Sequence, residues 1–131
     1  MPTNVSTVRV RYAETDQMGV AYYANYFVWF EVARTDWLRS LGETYRAMEA
    51  KGVKLPVIEA SCEYKRPARY DDELEIRTDA RLQSPVRVEF QYEVSVKGTP
   101  GLVAVGRTRH AALGADGRPC RLPQHIREVL A

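Results

Sequence analysis

Asp16 and Gly19 stand in a short polar loop that leads directly into an aromatic-rich segment, residues 20–26 (VAYYANY). A helix that starts in this segment would present unpaired backbone N–H groups and the positive end of its dipole. A carbonyl oxygen held there would be polarised as negative charge develops on it. A carboxylate one loop upstream could then attack that carbonyl group or activate a water molecule. The pattern therefore predicts carbonyl chemistry centred on Asp16.

The segments on either side of this loop have the patterns of a strand and a helix. Residues 5–12 alternate between apolar and polar side chains, which predicts a half-buried first strand. Its apolar face would carry Val8, Val10 and Tyr12. From residue 26 to residue 41 apolar side chains recur every three or four positions, so they form one face of a helix about four turns long. Those positions are Tyr26, Phe30, Ala33, Trp37 and Leu41. Gly42 is a natural stop for this helix.

The rest of the chain favours sheet, after a shorter helix predicted at residues 43–50. Alternating apolar positions predict further strands at about residues 55–66, 74–82, 86–96 and 102–113. Their lengths suit an antiparallel meander. A short terminal helix is predicted from Pro123 to Leu130. One long helix and five strands favour an α+β fold in a single domain, residues 1–131, with the helix packed on the concave face of a curved sheet.

Composition excludes several classes of protein. At 131 residues the chain can bury about two thirds of its unfolded surface, so it needs no disulfide or metal to fold. It contains no apolar run near the roughly 20 residues that a membrane span requires, and its N-terminus lacks a signal-peptide pattern. We therefore predict a cytoplasmic protein. The net charge of +2 is too small for a dedicated nucleic-acid binder.

The cysteines and histidines have no spacing that indicates a metal centre. Cys62 and Cys120 lie in no CxxC pattern, which predicts two reduced thiols. His110, in the last predicted strand, and His125, in the terminal helix, have no partners at metal or triad spacing. We expect both histidines to be surface groups or to have their hydrogen bonds satisfied, and we predict no metal and no cofactor.

Two stretches of the chain resemble hotdog-fold acyl-CoA thioesterases, nearest to the branch of hydroxybenzoyl-CoA and Tol-Pal-associated thioesterases. The first has an aspartate, two residues, a glycine, two apolar residues, aromatic residues and then Asn-Tyr. The matching residues are Asp16, Gly19, Val20, Ala21, Tyr22, Tyr23, Asn25 and Tyr26. The second stretch is residues 61–78 (SCEYKRPARYDDELEIRT). The resemblance implies a long helix wrapped by an antiparallel sheet and a homodimer joined edge to edge, with active sites at the subunit interface. A homotetramer of two such dimers is the alternative assembly.

The resemblance also implies roles for individual residues. Asp16 would act as nucleophile or as general base, and the backbone N–H of Tyr23 would bond the thioester carbonyl. Many Tol-Pal-associated members have histidine where this chain has Tyr23, so a backbone role is favoured here. A thiolate leaves without a strong general acid, so this apparatus suffices for an acyl-CoA thioester. The residues implied to bind substrate are Gly19, Val20, Tyr22, Tyr26, Glu31, Lys65 and Arg87, with Glu31 reaching the neighbouring subunit's site. Arg66, Arg69 and Arg81 are further candidates for the coenzyme A phosphates.

Each of these residues also has a structural interpretation. Asp16 could cap a turn, and Gly19 could be an ordinary turn glycine with positive φ. The tyrosines could be core residues, and Glu31 could pair with Arg34 on the helix surface. At the level of the whole protein, the alternative is a non-catalytic hotdog module that binds acyl-CoA or acyl carrier protein. A dehydratase would need a histidine motif that the helix region lacks.

Overall fold

The computed structural model describes residues 3–130, which form an antiparallel sheet packed on one long helix. Within this range the sheet has five strands, β1 (Thr3–Arg9), β2 (Val57–Tyr64), β3 (Glu73–Ser84), β4 (Arg87–Val96) and β5 (Leu102–Ala111). The helices are α1 (Asn25–Ser40), α2 (Tyr45–Ala50) and α3 (Gln124–Leu130), with a 3-10 turn at Tyr12–Glu14. The strand order is β1-β3-β4-β5-β2, and all neighbours are antiparallel. The predicted α+β hotdog architecture is confirmed.

Helix α1 supplies the core that the periodic pattern predicted. Its bounds lie within one residue of the predicted ones. The buried side chains of the helix are Tyr26, Trp29, Phe30, Ala33, Trp37 and Leu38. The Phe30 ring stacks on Tyr92 of β4 with the ring centres 4.3 Å apart. Gly42 has a φ of +78° and its N–H donates to the Arg39 carbonyl, so the glycine ends the helix as predicted.

The first strand is shorter than the alternation predicted. Strand β1 ends at Arg9, and Tyr12 opens the 3-10 turn with 77% of its surface exposed, so its assignment to the buried face is wrong. The reason is a local hydrogen bond. The Glu14 carboxylate accepts the Arg11 N–H at 2.8 Å, which turns the chain away from the sheet. Val10 is buried as predicted.

Strand β2 lies at one edge of the sheet. The predicted meander is formed by β3, β4 and β5, and β2 pairs with the far side of β5. On its other side β2 has no strand neighbour within residues 3–130. Three apolar or aromatic side chains on it are close to half exposed, namely Val57, Ile58 and Tyr64. This edge is therefore open to another chain.

The fold is held by its core rather than by cross-links. Cys62 and Cys120 are free thiols, as predicted. In the described part of the chain, no group of three or more His, Cys, Asp and Glu side chains is arranged to hold a metal ion. Of the helices in residues 3–130, none combines the length and the apolar character needed to cross a membrane.

Candidate active site

The loop that carries Asp16 closes on itself through three hydrogen bonds. Asp16 Oδ1 accepts the Met18 N–H at 2.9 Å, and the Asp16 carbonyl accepts the Gly19 N–H at 3.0 Å. The Asp16 N–H donates to the Val20 carbonyl at 2.9 Å. Gly19 has a φ of +77°, a conformation that few other residues adopt without strain. Asp16 thus caps a turn through Oδ1, while Oδ2 accepts no hydrogen bond from a residue in the 3–130 range.

Two further contacts attach this loop to the body of the protein. The Ala21 N–H donates to the Ala68 carbonyl at 2.8 Å, and Val20 pairs with Arg69 as an isolated antiparallel bridge. The segment between β2 and β3 therefore forms one wall beside the loop. Lys65, Arg66 and Pro67 of this segment line the cleft described below.

Glu14 holds the start of the loop and the start of the helix together. Its buried carboxylate accepts hydrogen bonds from the Trp29 indole at 3.0 Å and from the Arg11 N–H. Its backbone carbonyl accepts the Tyr22 N–H and the Asn25 side-chain amide, both at 2.8 Å. Burial alone would raise the pKa of the Glu14 carboxyl group, but the hydrogen bonds that the carboxylate accepts from Arg11 and Trp29 outweigh burial and lower the pKa. The Glu14 side chain is therefore ionised at neutral pH.

Tyr23 lies just before the first turn of α1. Its carbonyl accepts the Tyr26 N–H at 3.3 Å. The Tyr23 N–H donates to no acceptor within residues 3–130, as is usual for the first N–H groups at a helix start. The aromatic side chains nearby are in mutual contact, with the Tyr22 and Tyr23 ring centres 4.7 Å apart and the Tyr26 and Trp29 centres 4.8 Å apart.

A cleft of about 350 Å³ brings the loop and the helix start together. Among the residues that the sequence predicted for the site, those that line this cleft are Asp16, Val20, Tyr23, Tyr26, Lys65 and Arg66. The remaining lining residues are Met18, Ala21, Tyr64 and Pro67. Tyr26 is almost fully buried and Tyr23 is 59% exposed, so the cleft runs from the core to the surface. Tyrosine side chains supply most of its aromatic surface.

Other predicted residues lie outside this cleft in the single chain. Glu31 is in a shallow groove on the exposed face of α1, beside Val28 and Val32. The ion pair expected between Glu31 and Arg34 does not form in the described part of the chain. Arg87 lines a separate groove at the turn between β3 and β4. Gly19 and Tyr22 do not line the cleft, although Gly19 shapes the loop and the Tyr22 ring contacts the Tyr23 ring.

Tyr64 is a cleft residue that sequence reasoning missed. Its hydroxyl donates to the Tyr23 carbonyl at 2.9 Å, and its ring contacts Tyr26 edge-on with the centres 5.0 Å apart. Partial burial raises the pKa of Tyr64, so its hydroxyl is protonated and able to donate at neutral pH. The sequence did hold one indication of this role: Tyr64 lies in the 61–78 stretch that carries the resemblance and is next to Lys65, a predicted substrate-binding residue.

The histidines take the structural roles expected of them. His110 is fully buried, and its two ring nitrogens lie 3.0 Å from the Leu55 carbonyl and 2.9 Å from the Thr108 hydroxyl. His125 lies 3.0 Å from a carboxylate oxygen of Glu43. Neither residue lines the Asp16 cleft.

A long helix held against an antiparallel sheet of five strands is the hotdog architecture, which solved thioesterases share. The chain belongs to the thioesterase-like superfamily, whose family pattern matches residues 10–130. It is thus a thioester hydrolase.

Individual relatives agree with this membership. The chain is 37% identical over 114 residues to YneP of Bacillus subtilis (strain 168), covering 82% of this chain and 83% of that protein. It is 44% identical over 72 residues to the acyl-CoA thioester hydrolase YbgC of Escherichia coli O157:H7, covering 55% of this chain and 54% of that protein. The crystal structure of a DHNA-CoA thioesterase from Staphylococcus aureus superposes with a TM-score of 0.88 at 33% identity. That match covers 98% of this chain and 87% of that chain.

Proposed function

We propose that this protein hydrolyses acyl-CoA thioesters to a free carboxylic acid and coenzyme A, with Asp16 and the Tyr23 N–H as its catalytic groups. The observation that carries the proposal is the shared cleft. The Asp16 carboxylate, one oxygen of which accepts no hydrogen bond from residues 3–130, and the Tyr23 N–H, which has no acceptor in that range, line the same 350 Å³ space. Relatives named as thioesterases and acyl-CoA thioester hydrolases support the substrate class.

The reaction needs no group beyond this chain, the thioester and water. With the carbonyl oxygen held at the Tyr23 N–H, Asp16 acts in one of two ways. As a nucleophile, its carboxylate forms an anhydride with the acyl group and expels the thiolate, and water then hydrolyses the anhydride. As a general base, it takes a proton from water, which attacks the carbonyl directly. Label found in the Asp16 carboxyl group after a single turnover in ¹⁸O-labelled water would identify the nucleophilic route, because the general-base route leaves both Asp16 oxygens unlabelled.

Replacing Asp16 with asparagine tests the proposal. Asp16→Asn retains an oxygen that can accept the Met18 N–H, so the loop should keep its shape while the negative charge is lost. We expect a fall in kcat of at least about a hundredfold, the lower range for losing a general base. Release of free thiol is measured with a panel of short-chain, long-chain and aromatic acyl-CoA compounds. Because the Staphylococcus aureus relative is named for DHNA-CoA, the panel includes a bicyclic aromatic acyl-CoA.

Asp116 offers a matched control. Its Oδ1 accepts the Arg118 N–H at 3.0 Å, which is the same turn geometry outside the Asp16 cleft. Asp116→Asn should keep wild-type activity. Wild-type rates in Asp16→Asn would contradict the proposed mechanism. Binding of acyl-CoA by the wild type without thiol release would identify the protein as a binding module instead.

We further propose that the active form is a homodimer joined through the open edge of β2. This edge continues directly into Lys65 and Arg66 of the cleft, so a second subunit seated on it would complete the cleft walls. In such a dimer Glu31 and Arg87 are candidates to reach the partner's site, with Arg87 and Lys65 attracting the coenzyme A phosphates. A tetramer of two dimers would leave this arrangement intact.

A further inference from the structure

The Tyr64 hydroxyl connects the edge strand β2 to the start of α1. It donates to the Tyr23 carbonyl at 2.9 Å, the usual length of a good hydrogen bond. The same carbonyl also accepts the Tyr26 N–H, but at 3.3 Å, which is long for a helical bond. Tyr64 therefore provides the shorter of the two hydrogen bonds that orient the peptide group after Tyr23.

The peptide group before Tyr23 is also held. The Tyr22 carbonyl, which shares a peptide plane with the Tyr23 N–H, accepts the Asn25 N–H at 3.0 Å. The Tyr22 N–H in turn donates to the Glu14 carbonyl at 2.8 Å. Both peptide planes that flank the Tyr23 α-carbon are thus hydrogen-bonded, while the Tyr23 N–H itself has no acceptor in the described residues. An N–H group in this situation is held in direction and is free to bond a ligand.

We propose that Tyr64 is a positioning residue for thioester hydrolysis, an inference that rests on the proposed function. Its hydroxyl holds the peptide plane after Tyr23, so that the Tyr23 N–H keeps one direction as negative charge develops on the thioester carbonyl. A donor held in place before the reaction needs no reorganisation during it, which is how oxyanion-binding groups accelerate acyl transfer. Tyr64 itself does not touch the reacting atoms in this scheme.

The ring of Tyr64 has a separate role that allows the hydroxyl to be tested alone. It contacts the Tyr26 ring edge-on at 5.0 Å and the Tyr23 ring at 6.4 Å. Tyr64→Phe keeps both ring contacts and removes the hydroxyl, and with it the hydrogen bond to the Tyr23 carbonyl and the contact with the Cys62 thiol. Because the bond orients a donor that matters most in the transition state, we expect kcat to fall roughly tenfold while KM changes less than about twofold. The unfolding midpoint and the oligomeric state should stay at wild-type values.

Tyr70→Phe is the matched control. Tyr70 is also an exposed tyrosine whose ring packs edge-on against another, Tyr12, but its hydroxyl bonds to nothing among residues 3–130. Its kcat and KM should equal those of the wild type.

Three other outcomes have definite meanings. An unchanged kcat in Tyr64→Phe overturns the inference, and so does a fall in kcat accompanied by a raised KM and a lower unfolding midpoint, which would indicate general loosening. In either case the proposed function stands if Asp16→Asn shows its expected fall in kcat. If the wild type hydrolyses no acyl-CoA in the panel, the proposed function fails and the inference fails with it.

Discussion

At the scale of single residues, His110 is a buried polar side chain whose two ring nitrogens both have hydrogen-bond partners. Its two ring nitrogens lie within hydrogen-bond distance of the Leu55 carbonyl and the Thr108 hydroxyl. The Thr108 oxygen is also 2.6 Å from the Tyr92 hydroxyl. A neutral ring can donate to the carbonyl through Nδ1 and accept from the hydroxyl through Nε2. Burial lowers the pKa of His110 to about 4, so the ring is neutral at physiological pH.

This environment predicts a loss of stability in mild acid. In the unfolded chain a histidine takes up its proton near pH 6.5, whereas folded His110 does so only near pH 4. Between these values the unfolded state binds more protons, so the free energy of unfolding decreases as the pH falls. From pH 7 to pH 5 we expect His110 to contribute a loss on the order of 2 kcal/mol. Urea unfolding of the wild type and of His110→Gln at both pH values measures it.

The variant should be less stable at pH 7 but should lose less stability between pH 7 and pH 5. Carboxyl groups titrate in both proteins, so the difference between the two pH dependences isolates the histidine. Equal dependences would contradict the prediction.

Residue types and spacing predicted Asp16 beside a helix start, and the resemblance added Tyr23 and Tyr26 to the same site; the three residues are close along the chain, and all of them line the cleft. Tyr64 was missed because its contact with Tyr23 joins residues 41 positions apart. No local pattern encodes that approach, which arises from how β2 lies relative to α1. For Arg87 and Glu31 the resemblance implied substrate binding. Each lies in a separate groove of the single chain, so their role in binding has to be tested in the assembled protein.

At the scale of elements, the contact between α1 and the sheet depends on Gly106 in β5. A Cβ atom built on Gly106 would lie 2.3 Å from ring carbons of Phe30. The Phe30 ring cannot move aside easily, because it stacks on Tyr92 with the ring centres 4.3 Å apart. The absence of a side chain at Gly106 is therefore what lets the helix approach the sheet at this point.

Gly106→Ala should therefore lower the free energy of unfolding by about 1–3 kcal/mol, the usual cost of overpacking a core. Urea unfolding measures the change. Gly114→Ala is the control, since the added methyl group there would lie 3.2 Å from the Asp116 side chain, which can move. If both variants unfolded at the same urea concentration, the prediction that a side chain at Gly106 disturbs the packing of the helix on the sheet would be wrong.

The elements themselves were predictable to different degrees. The bounds of α1 followed from its periodic apolar residues and from Gly42. Alternation placed β3, β4 and β5 well, because β3 buries every second residue from Leu74 to Ala80 and the other two strands do so over part of their length. It overextended β1 to Tyr12, since a hydrogen bond involving the Glu14 side chain competes with the sheet there. The position of β2 at the far edge is a property of the strand order, which alternation does not contain.

At the scale of the whole molecule, the open edge of β2 determines how two copies would meet. Exposed apolar side chains such as Ile58, together with backbone groups that have no strand partner among residues 3–130, favour pairing with another strand. Strand β1 is the opposite edge and also exposes an apolar side chain, Val5. It lies four strands away from β2, however, and contributes nothing to the Asp16 cleft.

We therefore expect Ile58→Lys to weaken the proposed dimer, because natural sheets use lysine to prevent edge pairing. Light scattering over a range of concentrations should show a shift toward monomer, with a parallel loss of thioesterase activity. Val5→Lys places the same charge on the other edge and should keep the wild-type assembly. A dimer retained in Ile58→Lys and lost in Val5→Lys would assign the interface to β1.

The strand order also has a consequence for the way the chain acquires its structure. Strand β1 pairs with β3 in a register that joins Thr3 to Asp79, and β2 pairs with β5 in a register that joins Val57 to His110. Such distant pairings slow folding, because long loops must close before the contacts form. During synthesis the Asp16 loop and α1 leave the ribosome before strands β3, β4 and β5, which form most of the sheet. We therefore expect the Asp16 cleft to form late, only after β5 has joined the sheet.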